Sequence, residues 1–266
     1  MDKHCNIFIL KTFAVITGAS RGLGRSMAIQ FGSKFPDGSV LVLMSRNVDD
    51  LESVKSEVML SSPNIKVLVQ QYDQGDVENV EFFKGVFSNI LFENCIKASD
   101  FDQYMIVHNC ASLCDVTKRS LEVSDFHSVR TYYDINVTGM ILLNTSFFQT
   151  FSDSSKPRIV INISSAAACV PLLSLGLYCS SKIARDMYMR VLAEEEPSLR
   201  ILTFAPGCAD TDMAREAEAL CINNSLKNFR ADGIMKHPDE PIAILVKILE
   251  ENEFENATFI ESDKQL

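Results

Sequence analysis

Phe13-Ala14-Val15-Ile16-Thr17-Gly18-Ala19-Ser20-Arg21-Gly22-Leu23-Gly24 is the stretch that decides the fold. Phe13 to Thr17 is uncharged and apolar enough for a strand buried on both faces. Gly18, Gly22 and Gly24 then make a glycine-rich turn, more than one tight turn requires. The apolar periodicity that follows predicts a helix over Gly22–Phe35. A glycine turn between a first strand and a first helix is a phosphate cradle. Backbone approaches the anion closely, and the helix offers free N–H groups with a partial positive charge.

Working outward, the alternation continues. Strands are expected at Ser39–Met44, Ile65–Gln70, Met105–His108, Arg158–Ile163 and Arg200–Ala205, with a short last one at Thr258–Ile260. Between them lie helical patterns at Leu51–Leu60, Val77–Phe92, Phe126–Phe151, Tyr178–Glu194 and Pro241–Glu250. Near-continuous apolar strands separated by helices predict a parallel sheet covered on both faces. With right-handed crossovers this is an α/β, doubly wound Rossmann-type domain of about seven strands. No linker, repeat or composition break divides the 266 residues, so residues 1–266 are read as one domain. Residues 212–240 carry the weakest pattern and are expected to form a lid.

Composition excludes several classes. Hydrophobic residues make up 47% and charged residues 23%, which is globular rather than disordered. With 25 Lys+Arg against 35 Asp+Glu, the formal charge of −10 disfavours nucleic acid and acidic lipid surfaces. No apolar run reaches the ~20 residues that span a bilayer. The apolar start Cys5–Leu10 is interrupted by Lys11 and followed by no small-residue cleavage pattern, so a cytoplasmic protein with reduced thiols is expected. Cys110 and Cys114 lack a second pair or nearby histidines, so no metal site is expected.

The second strand ends in Ser45-Arg46-Asn47, where a NAD site would place a carboxylate for the ribose 2′-hydroxyl. Arg46 stands there instead, and Arg21 lies in the cradle. Two guanidinium groups suit a 2′-phosphate through charge-assisted, bidentate bonds, which favours NADP over NAD. Asp73, after the third strand in Gln71-Tyr72-Asp73, is placed to accept from an adenine amino group, with Asn47 and Tyr72 adjoining the same site.

Tyr178-Cys179-Ser180-Ser181-Lys182 puts a phenol and an ammonium one helical turn apart. A free phenol, with pKa near 10, is a poor acid at neutral pH, and a neighbouring cation is expected to lower that value. Such a phenol gives its proton to a carbonyl oxygen as hydride reaches the carbon. Ser165, at the end of the fifth strand, is placed to hold the same oxygen. Alone, Tyr-x-x-x-Lys is a common surface pair. With a cradle and a serine at neighbouring strand ends, all the parts collect at the carboxyl edge of one sheet.

These motifs together resemble the short-chain dehydrogenase/reductases over nearly the whole chain. The resemblance implies that Ser165 orients the carbonyl, that Tyr178 donates the proton and that Lys182 binds the nicotinamide ribose. It implies a fourth catalytic residue at Asn136, whose backbone helps position a water leading to the lysine. It also implies a cofactor site of Gly18, Ala19, Ser20, Arg21, Gly22, Leu23, Gly24, Arg46, Asn47, Tyr72, Asp73, Asn109, Tyr178, Lys182, Pro206, Gly207 and Thr211. One segment departs: the family's Asn-Asn-Ala-Gly is His108-Asn109-Cys110-Ala111 here. Asn109 survives and the final glycine does not.

Within the family, Ser39–Asn47, Ser112–Val116, Leu177–Met187 and Ala205–Met213 resemble a branch that uses NADPH to reduce pterin side-chain ketones in tetrahydrobiopterin biosynthesis. The resemblance implies a cytosolic homodimer, built from the helices Phe126–Phe151 and Tyr178–Glu194. It implies substrate contacts at Ser165, Tyr178 and Gly207, plus a C-terminal acid that anchors the pterin; Ile260 or Glu261 occupies that place. The apolar run Ala166–Leu177 suits a flat ring, a steroid or another hydrophobic ketone equally. A non-catalytic nucleotide sensor on the same fold is the competing class, and it would not need Ser165, Tyr178 and Lys182 together. His108, ending a strand, reads as a core histidine, and no cysteine reads as a nucleophile.

Overall fold

The computed structural model describes residues 5–222, 230 and 232–264. Seven strands form one parallel sheet in the order β3-β2-β1-β4-β5-β6-β7. They are β1 Thr12–Thr17, β2 Val40–Ser45, β3 Lys66–Gln71, β4 Gln103–His108, β5 Arg158–Ile163, β6 Leu199–Ala205 and β7 Thr258–Glu261. Their pleat explains why they read as unbroken apolar runs. In β1, Ala14 and Ile16 point into one core cluster and Phe13 and Val15 into the other.

Helices α1 Gly22–Gly32 and α2 Val48–Ser61 cover the first face, together with α8 Asp239–Glu251 near the C-terminus. The second face is covered by α3 Val80–Glu93, α5 Gly139–Thr150 and α6 Gly176–Glu195. Phe13, Phe87, Phe147 and Phe151 make a cluster of ring contacts that seats α3 and α5 on β1. The strand order reverses between β1 and β4. There the carboxyl ends of two neighbouring strands leave a crevice, the usual ligand position in open α/β sheets.

The long helix expected over Phe126–Phe151 is interrupted. It runs as α4 Phe126–Tyr133, a single π turn at Asp134–Thr138, and then α5. Just after the π turn, a Cβ on Gly139 would lie 1.9 Å from the Gln74 carbonyl oxygen, so the helix crosses directly against that backbone. The widened turn carries Asn136, and π turns recur at functional positions. Helix α3 starts at Val80, later than expected, because Asn79 accepts from Phe82 N and caps it. Helix α6 begins before Tyr178, at Gly176. The weakly patterned stretch 212–240 contains α7 Asp212–Leu220, capped by Thr211. The part of the expected lid at 223–229 and 231 lies outside the described residues. No helix among the described residues is long and apolar enough to cross a membrane.

Candidate active site

The cradle is built by close backbone approach. Gly18 and Gly22 have φ of +65° and +55°, a region that L side chains avoid. Gly24 has an ordinary φ, but a Cβ there would sit 2.0 Å from the Gly18 oxygen. Gly18 N and Ala19 N donate to Met44 O, which fixes the turn against β2. Asn109 ties it to β4: its side-chain amide donates to Thr17 O and Gly18 O at 3.0 and 3.1 Å. Helix α1 starts at an Arg21 N-cap with no side-chain cap and no acid in its first turn. Its first N–H groups are therefore open to an anion, so the residues fit the diphosphate of a dinucleotide. Ala19 and Gly24 are buried, and Ser20 and Leu23 half-buried, beside it.

The expected adenosine-side residues have mixed fates. Arg46 is exposed at the end of β2, and its charge reaches Cys110 across the crevice. Arg21 does not stand free for a phosphate: its guanidinium donates to Asp212 at 2.8 Å, linking the cradle to α7. Asn47 caps α2 by accepting from Asp49 N and Asp50 N. Tyr72 is packed in the core, stacked on Phe82, with its hydroxyl donating to Gly139 O. Its side chain therefore does not line the crevice. Asp73 is exposed and accepts from Gly75 N. On the other side, Pro206 is buried. Gly207 turns at φ +72°, where a Cβ would meet the Asp263 carboxylate at 2.5 Å. Thr211 approaches the cradle too, its methyl 3.1 Å from where a Gly22 Cβ would be.

The residues expected to move the proton lie near one another. Tyr178 is half-buried on α6, with the Ser165 side chain near enough to pull its phenol pKa down. Ser165 caps the short turn after β5 by accepting from Ala167 N. Its neighbour Ser164 is buried and donates to Asp186 at 2.8 Å, so Ser165 is the serine facing the phenol. Lys182 Nζ lies 5.5 Å from the Tyr178 ring centroid and donates to Ile163 O at 2.9 Å. Asn136 is buried in the π turn, accepting from Ser112 N and donating to Tyr132 O.

One electrostatic expectation is corrected. Burial pushes the Tyr178 phenol above its ordinary value, outweighing the nearby Ser165 hydroxyl and the Arg185 charge that pull it down. Lys182 does not deliver a full cation beneath it: burial, and then the Arg185 guanidinium, bring the ammonium down to about 7. With Lys182 bonded to Ile163 O, desolvation wins over pairing for both groups.

His108 is a core histidine, its Nε2 against Asn144 Oδ1 at 3.1 Å and its Nδ1 without a partner. Burial, and then Arg185, hold its pKa down to about 3. Burial also raises the thiols of Cys110, Cys114 and Cys208, which leaves them unactivated. Of the apolar run before Tyr178, Leu172 and Leu175 pack with Tyr178 and Cys114. Val170 and Leu173 are exposed. A cavity of about 880 Å³ opens beside this cluster, walled by Leu113, Cys114, Tyr132, Ile135 and Leu177. At the sheet's far edge Ile260 packs into the α1/α8 core, so the pleat turns Glu261 to the opposite face.

Sequence reasoning missed Arg185, Asp186 and Asn162, which lie buried directly behind Lys182. The available signal was spacing: Tyr178, Lys182 and Arg185 fall at i, i+4 and i+7 on α6.

Comparison with known proteins gives the family. The family model for short chain dehydrogenases matches residues 12–220. The mouse protein named sepiapterin reductase is 32% identical over 252 residues, covering 93% of this chain and 95% of that one. A Bacillus subtilis protein named benzil reductase, (S)-benzoin forming, is 29% identical over 251 residues, covering 89% and 92%. A Shigella flexneri short chain dehydrogenase solved in complex with NADP superposes with a TM-score of 0.76 at 20% identity, covering 97% and 99%. The chain belongs to the short-chain dehydrogenases, a family of oxidoreductases.

Proposed function

We propose that the protein is an NADPH-dependent carbonyl reductase acting on pterin side-chain ketones, the reaction its sepiapterin reductase relatives are named for. The observation that carries the reading is Lys182 Nζ 5.5 Å from the Tyr178 ring, with Ser165 nearby, beside a preformed glycine cradle. NADPH, when bound, supplies the hydride. This chain's residues do the rest. The α1 N-terminus and the backbone of Gly18–Gly24 hold the diphosphate, and Arg46 takes the 2′-phosphate. Arg21 joins it only by leaving Asp212. Asn109, Pro206, Gly207 and Thr211 border the nicotinamide side.

Ser165 and Tyr178 grip the ketone oxygen, and Tyr178 passes its proton to that oxygen as the carbinol forms. Its raised pKa keeps the phenol protonated until then. Lys182, charged beside the anionic cofactor that the cradle would hold, would stabilise the phenolate left behind. Asn136, through its π turn, connects Lys182 to the replenishing proton path.

Glu261 is the residue proposed to hold the pterin's amino groups, because Ile260 is committed to the core. The protein is proposed to act in the cytoplasm as a homodimer. Ile183, Met187 and Val191 leave an apolar stripe along α6, each about half exposed. The second reading keeps the chemistry and changes the ketone. The benzil reductase relative, with Leu113, Ile135 and Leu177 among the otherwise mostly polar residues lining the cavity, favours a hydrophobic diketone. A panel of sepiapterin, benzil and a ketosteroid with NADPH decides between them. Turnover of sepiapterin at least tenfold above the others supports the pterin reading, and turnover of benzil alone removes it.

A further inference from the structure

Arg185 is fully buried and among the largest side chains with no solvent contact. A guanidinium in that position must find acceptors for its donors. It finds three, on two different strand ends. Nη2 donates to His108 O at 2.7 Å and Nη1 to Cys110 O at 3.2 Å, both at the exit of β4. Nε donates to Asn162 Oδ1 at 3.0 Å, on β5. The two carbonyls flank Asn109, whose amide holds the cradle through Thr17 O and Gly18 O. One side chain therefore connects the helix of proton transfer to the strand exit that grips the cofactor turn.

All three acceptors are neutral. The carboxylate of Asp186 is reached only through Asn162, whose Nδ2 donates to Asp186 Oδ1 at 2.8 Å, and its other oxygen is taken by Ser164. The guanidinium charge is thus left acting on its neighbours, Lys182 and His108 among them.

We propose that Arg185 is a positioning residue for the reaction, its fork locking the β4 exit against α6 and its charge standing as a fixed cation beneath Lys182. The proposal rests on the reductase reading for its kinetic arm but not for its binding arm.

The titratable and charged groups facing Lys182 are Tyr178, Arg185 and Asp186 on α6 and Cys110 at the β4 exit; β5 presents Ile163 O and Ser164, both neutral. The test uses the full-length protein and NADPH. Binding is followed by the fluorescence of the reduced nicotinamide from pH 6 to 9, undisturbed by tryptophan because the chain has none. Lys182→Met assigns the pH dependence: it flattens the curve if Lys182 is its source.

Arg185→Lys keeps the charge and loses the fork. It is expected to leave the binding midpoint within about 0.3 pH unit of wild type and to cut kcat at least tenfold. Arg185→Gln loses the charge and is expected to move the midpoint up by about a unit, because the like-charge repulsion on Lys182 is gone. A wild-type kcat in Arg185→Lys overturns the fork, and an unmoved midpoint in Arg185→Gln overturns the charge. If Arg185→Gln does not fold, Arg185→Lys decides alone, with a midpoint shift in that variant counting against the proposal. Failure of every ketone would sink the pterin reading and leave the binding arm standing.

Discussion

Gly24→Ala is the perturbation that most sharply probes the cradle. An added Cβ would stand 2.0 Å from the Gly18 oxygen, 2.7 Å from its carbonyl carbon and 2.8 Å from the Asn109 amide nitrogen. A carbon–oxygen contact needs ~3.2 Å, so α1 and the Gly18 turn must separate by about 1 Å. Overpacking of this kind costs ~1–3 kcal/mol of stability. The same displacement spoils the N–H groups aimed at the diphosphate. Charge-assisted bonds are worth ~1.5–3 kcal/mol each, so losing even one predicts a 10- to 100-fold weaker NADPH complex.

The assay is a fluorescence titration with NADPH beside a thermal melt. Gly85→Ala is the control: its Cβ would meet only the flexible Asn89 side chain at 3.4 Å, inside α3. That variant should gain ~0.5–1 kcal/mol and bind normally. If Gly24→Ala bound NADPH within threefold of wild type, the cradle reasoning would be wrong.

Other outcomes follow from the same geometry. Arg46→Ala should weaken NADPH about 10- to 100-fold and NADH less than threefold, the size of a charge-assisted phosphate contact. Equal losses would remove the 2′-phosphate argument. Lys182, at about 7 in the fold and near 10.4 in an unfolded chain, binds fewer protons when folded between those values. Its burial therefore costs most below pH 7 and is relieved as pH rises. The melting temperature should gain more between pH 6 and 9 in wild type than in Lys182→Met, and identical gains would contradict it. If the proposed homodimer forms through α6, Met187→Asp should lower the sedimentation coefficient to that of a monomer in sedimentation velocity; an unchanged sedimentation coefficient would count against that interface.

Much of the fold is legible because the strands are buried on both faces and helices punctuate them. Phe13–Thr17 and Arg158–Ile163 read as they stand. The glycine turn is legible because it is a local motif at a strand end, and the Tyr178–Lys182 proximity because it is one helical turn on α6. What escapes is what packing decides. The π turn at Asn136 lies where the helix meets Gln74, far away in the chain: Gly139 abuts the Gln74 backbone. Tyr72 reads as crevice-facing from its neighbour Asp73, yet the pleat sends its ring into the core. Arg21 pairs with Asp212 across 191 positions, which no spacing rule reveals. The sign of the Tyr178 shift is lost because burial, not the i+4 cation, dominates it.

The most direct measurement is single-turnover reduction of sepiapterin by Tyr178→Phe loaded with NADPH. Phenylalanine keeps the ring against Leu175 and Cys114 and deletes only the hydroxyl, with the proton it would donate. The expected result is NADPH bound as in wild type and hydride transfer slowed at least ~100-fold, the usual size of a general-acid contribution. A rate within a few fold of wild type would mean that another group protonates the ketone.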